Sequence, residues 1–262
     1  MTVFGICMVK NAEDIIGPIV EHMMREVDYV IVADNLSKDN TRSILDSLHG
    51  NITVMDDLDP AYRQSEKMTY LSRIAMKSGA SHVVPFDADE WWDSPHGRLK
   101  DVIVQSDVDI NVAPLFNYRP TGVDWDTILN PIQRIRWRDK NESPLHKVAC
   151  KTSPFLTIEM GNHNATFTDR EPTYDDHSLI QVRHFPYRNA DQFVEKAVVG
   201  ALALGATDLP YDVGQHWRDY AKIAEDHGID ALKDVFRQWF YTANPYKDEN
   251  LIYDPVLDEH IR

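Results

Sequence analysis

The sequence predicts an α/β protein: a mixed, mainly parallel central sheet flanked by helices over residues 1–204, then a helical C-terminal extension over residues 205–262. Three observations predict it. Apolar strand-like runs alternate with helical periodicity through the first half of the chain, the pattern of parallel strands joined by crossover helices. Polar residues collect just after each apolar run, where ligands gather in such sheets. Beyond Ile110 the runs shorten and the helices between them thin out, so the strand order is not purely parallel.

The first run spans residues 2–9, and residues 12–27 place Ile15, Ile16, Ile19, Val20, Met23 and Met24 at helical spacing with Glu13 and Asp14 in the first turn. Residues 29–33 form the second run, and Ser37 or Asp39 is suited to cap a helix reaching Leu48. Residues 52–55 are the third run, residues 65–77 a helix with Met68, Leu71, Ile74 and Ala75 on one side, and residues 81–86 the fourth run. Short strands are then expected over 110–117, 132–137, 147–151, 155–160 and 179–184. Asn189 caps a helix to about Leu204, and after Gly205 an aromatic-rich tail suggests two more helices. The tail's aromatic side chains suit packing on the main domain; closure over an acceptor site or a homodimer interface are the alternatives.

Hydrophobic residues make up 43% of the chain and charged residues 26%, ordinary for a globular protein with a full core. A formal net charge of -15 argues against broad binding to nucleic acid or anionic membrane. Cys7 and Cys150 fit no metal-ligand spacing and read as buried free thiols. Without a basic, apolar leader or an apolar run near the ~18 residues that span a bilayer, a reducing, cytoplasmic setting is expected.

The most informative stretch is Pro85-Phe86-Asp87-Ala88-Asp89-Glu90-Trp91-Trp92, an apolar run ending in two carboxylates one residue apart. If the backbone stays extended, Asp87 and Asp89 share a face and converge on one hard cation, Mg²⁺ or Mn²⁺. Lys10 and Asn11 after the first run, Asp34 after the second, and Asp56 and Asp57 after the third end at the same sheet edge.

Two further strings, Met8-Val9-Lys10-Asn11-Ala12-Glu13-Asp14 and Ala33-Asp34-Asn35-Leu36-Ser37-Lys38-Asp39-Asn40-Thr41, together with Asp87-Ala88-Asp89, resemble the N-terminal elements of family 2-like glycosyltransferases. Gly161-Asn162-His163-Asn164 and Arg183-His184-Phe185-Pro186-Tyr187-Arg188 look like C-terminal elements of a bacterial and phage branch of that group. Ala12 departs from the pattern, standing where the usual first acidic residue would be. The resemblance covers residues 3–200 and implies a GT-A, Rossmann-like fold and transfer of a sugar from a nucleotide-diphosphate sugar, UDP-sugar favoured, to a hydroxyl acceptor; inversion is the favoured outcome, and retention, which needs no catalytic base, is the alternative.

On that resemblance Lys10, Asn11, Glu13, Asp34, Asp87 and Arg188 contact the donor, and Asp87, Asp89 and His184 hold the metal. His163 competes with His184 as a metal ligand or orients the acceptor, and Glu142 is one of four carboxylates, with Glu159, Asp169 and Asp175, suited to a catalytic base. The acceptor is open: a glycan, a small molecule or a modified DNA base. The cluster Arg134, Arg136, Arg138, Lys140, His146, Lys147 and Lys151 either solvates a strand pair or forms a positive rim for an anionic acceptor. A non-catalytic nucleotide-sugar-binding module is the rival from another class. A nucleotidyltransferase would need a glycine-rich loop after the first strand, and a haloacid-dehalogenase-like phosphatase a different sequence after its Asp-x-Asp.

Overall fold

The computed structural model describes residues 1–124, 130–175 and 179–257. In chain order the elements are β1 (Val3–Val9), α1 (Ile16–Glu26), β2 (Tyr29–Asp34), α2 (Thr41–Ser47), β3 (Ile52–Asp56), α3 (Gln64–Lys77), β4 (His82–Pro85), β5 (Glu90–Asp93) and α4 (Leu99–Ser106). Then follow β6 (Ile110–Arg119), α5 (Pro131–Arg134), β7 (Trp137–Asp139), β8 (His146–Lys151), β9 (Leu156–Ile158), β10 (Ala165–Phe167) and β11 (Gln181–His184). The chain closes with α6 (Ala190–Gly205), α7 (Gln215–His227), α8 (Ile229–Trp239) and β12 (Leu251–Tyr253).

The main sheet runs β12-β7-β6-β8-β4-β1-β2-β3, with β11 joining β6 to β5 and β9–β10 standing apart as a hairpin. Strands β4, β1, β2 and β3 are parallel, as their helical crossovers require. From β4 outward through β8, β6, β7 and β12 every neighbour is antiparallel. This is the mixed α/β architecture that the resemblance implies, parallel in its first half and antiparallel beyond.

Alternation along the strands divides the core into two layers. Val3, Cys7 and Val9 of β1 and Val30 and Val32 of β2 join one buried cluster with Ile16, Ile19, Val20 and Met23 of α1. Phe4 and Ile6, with Ile31 and Ala33, face the other way onto Met68, Leu71 and Ala75 of α3. Trp91 and Trp92 are buried in the first layer, where His22 stacks on Trp91 at 3.6 Å, so both indoles serve packing. Cys7 and Cys150 are free and buried.

Local chemistry explains where elements depart from expectation. Helix α1 begins at Ile16 rather than near Ala12, because Glu13 and Asp14 are held in a turn by distant partners. The expected strand over 132–137 opens instead as the short α5, started by Pro131 and capped by the Asn130 side chain, which accepts from Gln133 N at 3.1 Å. The extension carries α7 and α8, packed with α6 around Phe193, Leu232 and Phe236, but it also returns β12 to the sheet edge beside β7. Residues 205–257 thus share one core with α6 and, through β12, one sheet with β7.

His82, buried in β4, is lowered to about 4 by burial, with Lys151 and the N-terminus adding to it. The folded protein keeps it neutral, whereas an unfolded histidine titrates near ~6.5. Its contribution to stability is complete above that pH and is lost as pH falls through about 4. The denaturation midpoint should therefore drop between pH 7 and pH 4.5, and His82→Leu should show a shallower drop over the same interval. An unchanged slope in that variant would remove His82 from the acid response.

Candidate functional site

A cleft of about 640 Å³ opens at the carboxyl ends of β1 and β4 and is walled by α6 and the start of α7. Of the residues singled out by sequence, Lys10, Asn11, Asp87, Asp89, His163, His184 and Arg188 line it. Glu13, Asp34 and Glu142 are not among its lining residues. Asp34 is buried at the end of β2, accepting from the Ser37 hydroxyl and from Ser37 N at 3.3 Å, so it closes its own loop. Glu13 accepts from Asn40 N and Nδ2, both at 2.8 Å, and ties the β1 loop to α2. Glu142 is exposed on the loop before β8.

The paired carboxylates do not converge as an extended strand would present them. Glu90 N donates to Asp87 O at 3.1 Å, so residues 87–90 form a tight turn and the alternation of side chains ends with β4. Asp87 points to β8: its Oδ2 meets Lys147 Nζ at 2.6 Å, and its Oδ1 accepts from Gln64 Nε2 at 3.1 Å and Asn162 Nδ2 at 3.0 Å. Lys147 also contacts Glu90 Oε1 at 2.7 Å and donates to Gly161 O at 2.7 Å. Burial alone would lower the Lys147 ammonium, but Asp87 and Glu90 outweigh it and raise it well above its usual value. Burial pushes the Glu90 carboxyl up to about 7, with Lys147 opposing.

Asp89 points the other way. Its Oδ2 receives Lys196 Nζ from α6 at 2.6 Å, and its Oδ1 lies 3.7 Å from His184 Nε2. Burial would raise this carboxyl, yet Lys196 above all holds it well below the usual range. Strand β11 lies between β5 and β6, with His184 in register with Asn117 of β6. His184 Nδ1 lies 2.8 Å from Asn117 Oδ1, an acceptor, which assigns the ring proton to Nδ1 and leaves the Nε2 lone pair facing Asp89. Burial lowers His184 to about 4, so it is neutral near pH 7.

The remaining predicted residues are committed to varied degrees. Arg188 is buried and bidentate on Asp14, at 2.6 and 2.8 Å, so its guanidinium is engaged within the protein where a role on the donor phosphates was expected. Asn11 takes a left-handed φ of 49°. Its side chain donates to Glu195 Oε1 at 2.7 Å and accepts from Lys38 N at 2.9 Å, linking the end of β1 to α6. Lys10 is lowered by burial and by the nearby Lys67 and Lys38, a cation held in a positive neighbourhood. His163 Nδ1 faces His146 O at 2.7 Å, which leaves Nε2 as an acceptor, and burial lowers its pKa. The ring sits over Gly161 (φ 72°), where a Cβ would stand 2.3 Å from His163 Cδ2.

Sequence reasoning missed Lys147 as the partner of Asp87, Asn117 as the residue that orients His184, and Glu195, Lys196 and Trp217 in the cleft wall. One signal was present: after Asp191, Glu195 and Lys196 are the only charges in a helix otherwise almost wholly apolar to Gly205. Trp217 packs edge-on to Tyr62 at 5.2 Å and so tightly on α6 that a Cβ at Gly200 would lie 2.5 Å from its ring. The basic run from Arg134 to Lys151 disperses: Arg138 pairs with Asp254 at 2.7 Å, Lys151 with Asp107 at 3.0 Å, and Lys147 turns inward. Three of the seven basic residues are thus neutralised within the fold and are not available to a positive rim.

No family model matches the chain, and no curated protein matches it. Among solved structures it is similar to S. aureus TarS 1–349 in complex with UDP-GlcNAc, at 13% identity over 98% of this chain and 100% of that one, with a TM-score of 0.44. It is also similar to HddC from Yersinia pseudotuberculosis (10% identity, 67% and 89% covered, TM-score 0.38). A third is glucosyl-3-phosphoglycerate synthase from Mycobacterium tuberculosis in complex with Mn²⁺, UDP and phosphoglyceric acid (15% identity, 58% and 56% covered, TM-score 0.32). Likeness this distant leaves the chemistry to be read from the cleft itself. No helix among the described residues is long and apolar enough to cross a membrane.

Proposed function

We propose that this cleft transfers a glycosyl group from a nucleoside-diphosphate sugar to a hydroxyl acceptor with inversion, UDP-sugar being the favoured donor. The carrying observation is the pairing of Asp89 Oδ1 with the Nε2 lone pair of a neutral, oriented His184 at the carboxyl end of β4. An oxygen and an imidazole nitrogen 3.7 Å apart suit Mn²⁺ or Mg²⁺. No group of three or more His, Cys, Asp or Glu side chains placed to hold a metal ion together occurs among the described residues. Two protein ligands are in keeping with a cation completed by water and substrate phosphates. Asp87, with both oxygens engaged, is left out of the ligand set. A divalent cation held by Asp89 and His184 would neutralise charge on the departing diphosphate.

The chain's own residues do the rest. Lys10, cationic at the end of β1, draws the donor phosphates into the cleft. Tyr62 and Trp217 give the far wall flat apolar faces suited to a sugar ring. His163 accepts the hydrogen bond of the acceptor hydroxyl at Nε2. As the acceptor oxygen bonds to the anomeric carbon, the sugar–phosphate bond breaks, the electron pair leaves with the nucleoside diphosphate, and the proton passes to His163. Glu142, exposed outside the cleft lining, is not assigned that role.

The test is calorimetry with UDP-, GDP-, TDP- and CMP-sugars, with and without Mn²⁺. One nucleotide should bind saturably and more tightly with metal, and slow donor hydrolysis should follow without acceptor. Binding with no hydrolysis or transfer would favour a non-catalytic nucleotide-sugar-binding module. No binding by folded protein with Mn²⁺ present would overturn the proposal.

A further inference from the structure

We propose that Lys196 is the diphosphate-binding residue of this cleft, stored on Asp89 until donor and metal arrive together; this rests on the transferase reading above. The two lysines at the Asp87–Glu90 turn are built differently. Lys147 has a side chain 4% exposed and three acceptors, Asp87, Glu90 and Gly161 O, all within 2.7 Å, so it is fixed. Lys196 has a side chain 29% exposed and lines the cleft; beyond Asp89, its contacts among the described residues are Pro186 O at 3.3 Å and the Tyr187 ring at 5.6 Å. A compact ammonium on a flexible four-carbon stem can exchange partners without moving α6.

Charge compels the exchange. Asp89 supplies one negative charge, already matched by Lys196 at 2.6 Å on Oδ2. The same carboxylate cannot also compensate a divalent cation on Oδ1, because ammonium and cation would then stand a few ångströms apart with a single negative charge between them. The nearby Asp14 is no refuge for the lysine, since it holds Arg188 in a bidentate pair. A nucleoside diphosphate supplies the missing charge: it ligates the cation and offers phosphate oxygens to Lys196. Lysine leaves Asp89 for the diphosphate, and metal and nucleotide binding become coupled, each favouring the other by the same factor.

Calorimetry on the full chain tests this with Mn²⁺ alone, UDP alone and each in the presence of the other, for wild type, K196Q and K196R. Wild type should bind Mn²⁺ weakly without UDP and much more tightly with it. K196Q should bind Mn²⁺ alone about tenfold more tightly than wild type, bind UDP with Mn²⁺ about tenfold more weakly, and lose most of the coupling, while K196R keeps it. Unchanged Mn²⁺ and UDP affinities in K196Q would overturn the role of Lys196 and leave the transferase reading standing. No Mn²⁺-dependent UDP binding in wild type would overturn both.

Discussion

Asp89→Asn should abolish metal-dependent donor binding and lower the transfer or donor-hydrolysis rate about 10³-fold, while the protein keeps its fold. A metal ion contributes several kcal/mol of transition-state stabilisation, and roughly 1.4 kcal/mol corresponds to tenfold in rate. The fold should survive because the groups around Asp89 have alternatives. Lys196 can reach water from a side chain 29% exposed, and Arg188 keeps its bidentate pair with Asp14. The backbone contact from Phe185 N to Asp89 O, 2.9 Å, does not involve the side chain. Thermal melts alongside Mn²⁺ titrations separate loss of ligand from loss of structure. Asp87→Asn is the paired control: it should retain Mn²⁺ binding, because its oxygens serve Lys147, Gln64 and Asn162. The opposite pattern, binding lost in Asp87→Asn and kept in Asp89→Asn, would reverse the ligand assignment.

The contrast between these two aspartates marks what spacing can and cannot reveal. Strands β1 to β4 were legible because apolar runs with crossover helices between them have few other ways to bury both faces, and the candidate cleft opens where two of those runs, β1 and β4, end. The rule that residues two apart share a face failed at Asp87 and Asp89 because the Glu90 N to Asp87 O bond turns the backbone at the strand end. Asp34, Glu13 and Arg188 were read as donor contacts, yet Ser37, Asn40 and Asp14 engage them, partners that only the folded loops bring together. Lys147 and Lys196 were hidden for the same reason, standing 60 and 107 positions from the carboxylates they neutralise. His184 was singled out through its motif, whereas the Asn117 beside it depends on β11 threading between β5 and β6, a pairing no local pattern announces.

Lys147→Met is expected to cost about 3–5 kcal/mol of stability, the usual result of stripping one partner from a buried ion pair. Lys147 is 3% exposed and Glu90 fully buried, so after the substitution water cannot take over the role of the ammonium. Glu90, its carboxyl already pushed up to about 7 with Lys147 opposing, would rise further and take up a proton near neutral pH, and Asp87 would keep its charge without the ammonium. In a chain this long the loss corresponds to a melting point lower by roughly 10 °C. Adding Glu90→Gln should return part of it, since that change removes the cost of protonating Glu90 beside Asp87 and still leaves an oxygen for Asp87 N or Trp92 Nε1. A similar loss in the double variant would place the cost in lost packing of the lysine stem instead of in electrostatics. The antiparallel register that pairs Val83 with Cys150 carries Lys147 to the end of β4, where it clamps the turn that presents Asp89. Donor affinity measured well below the melting point should therefore fall in Lys147→Met and recover partly in the double variant, because the clamp that holds the fold also aims the carboxylate at the cleft.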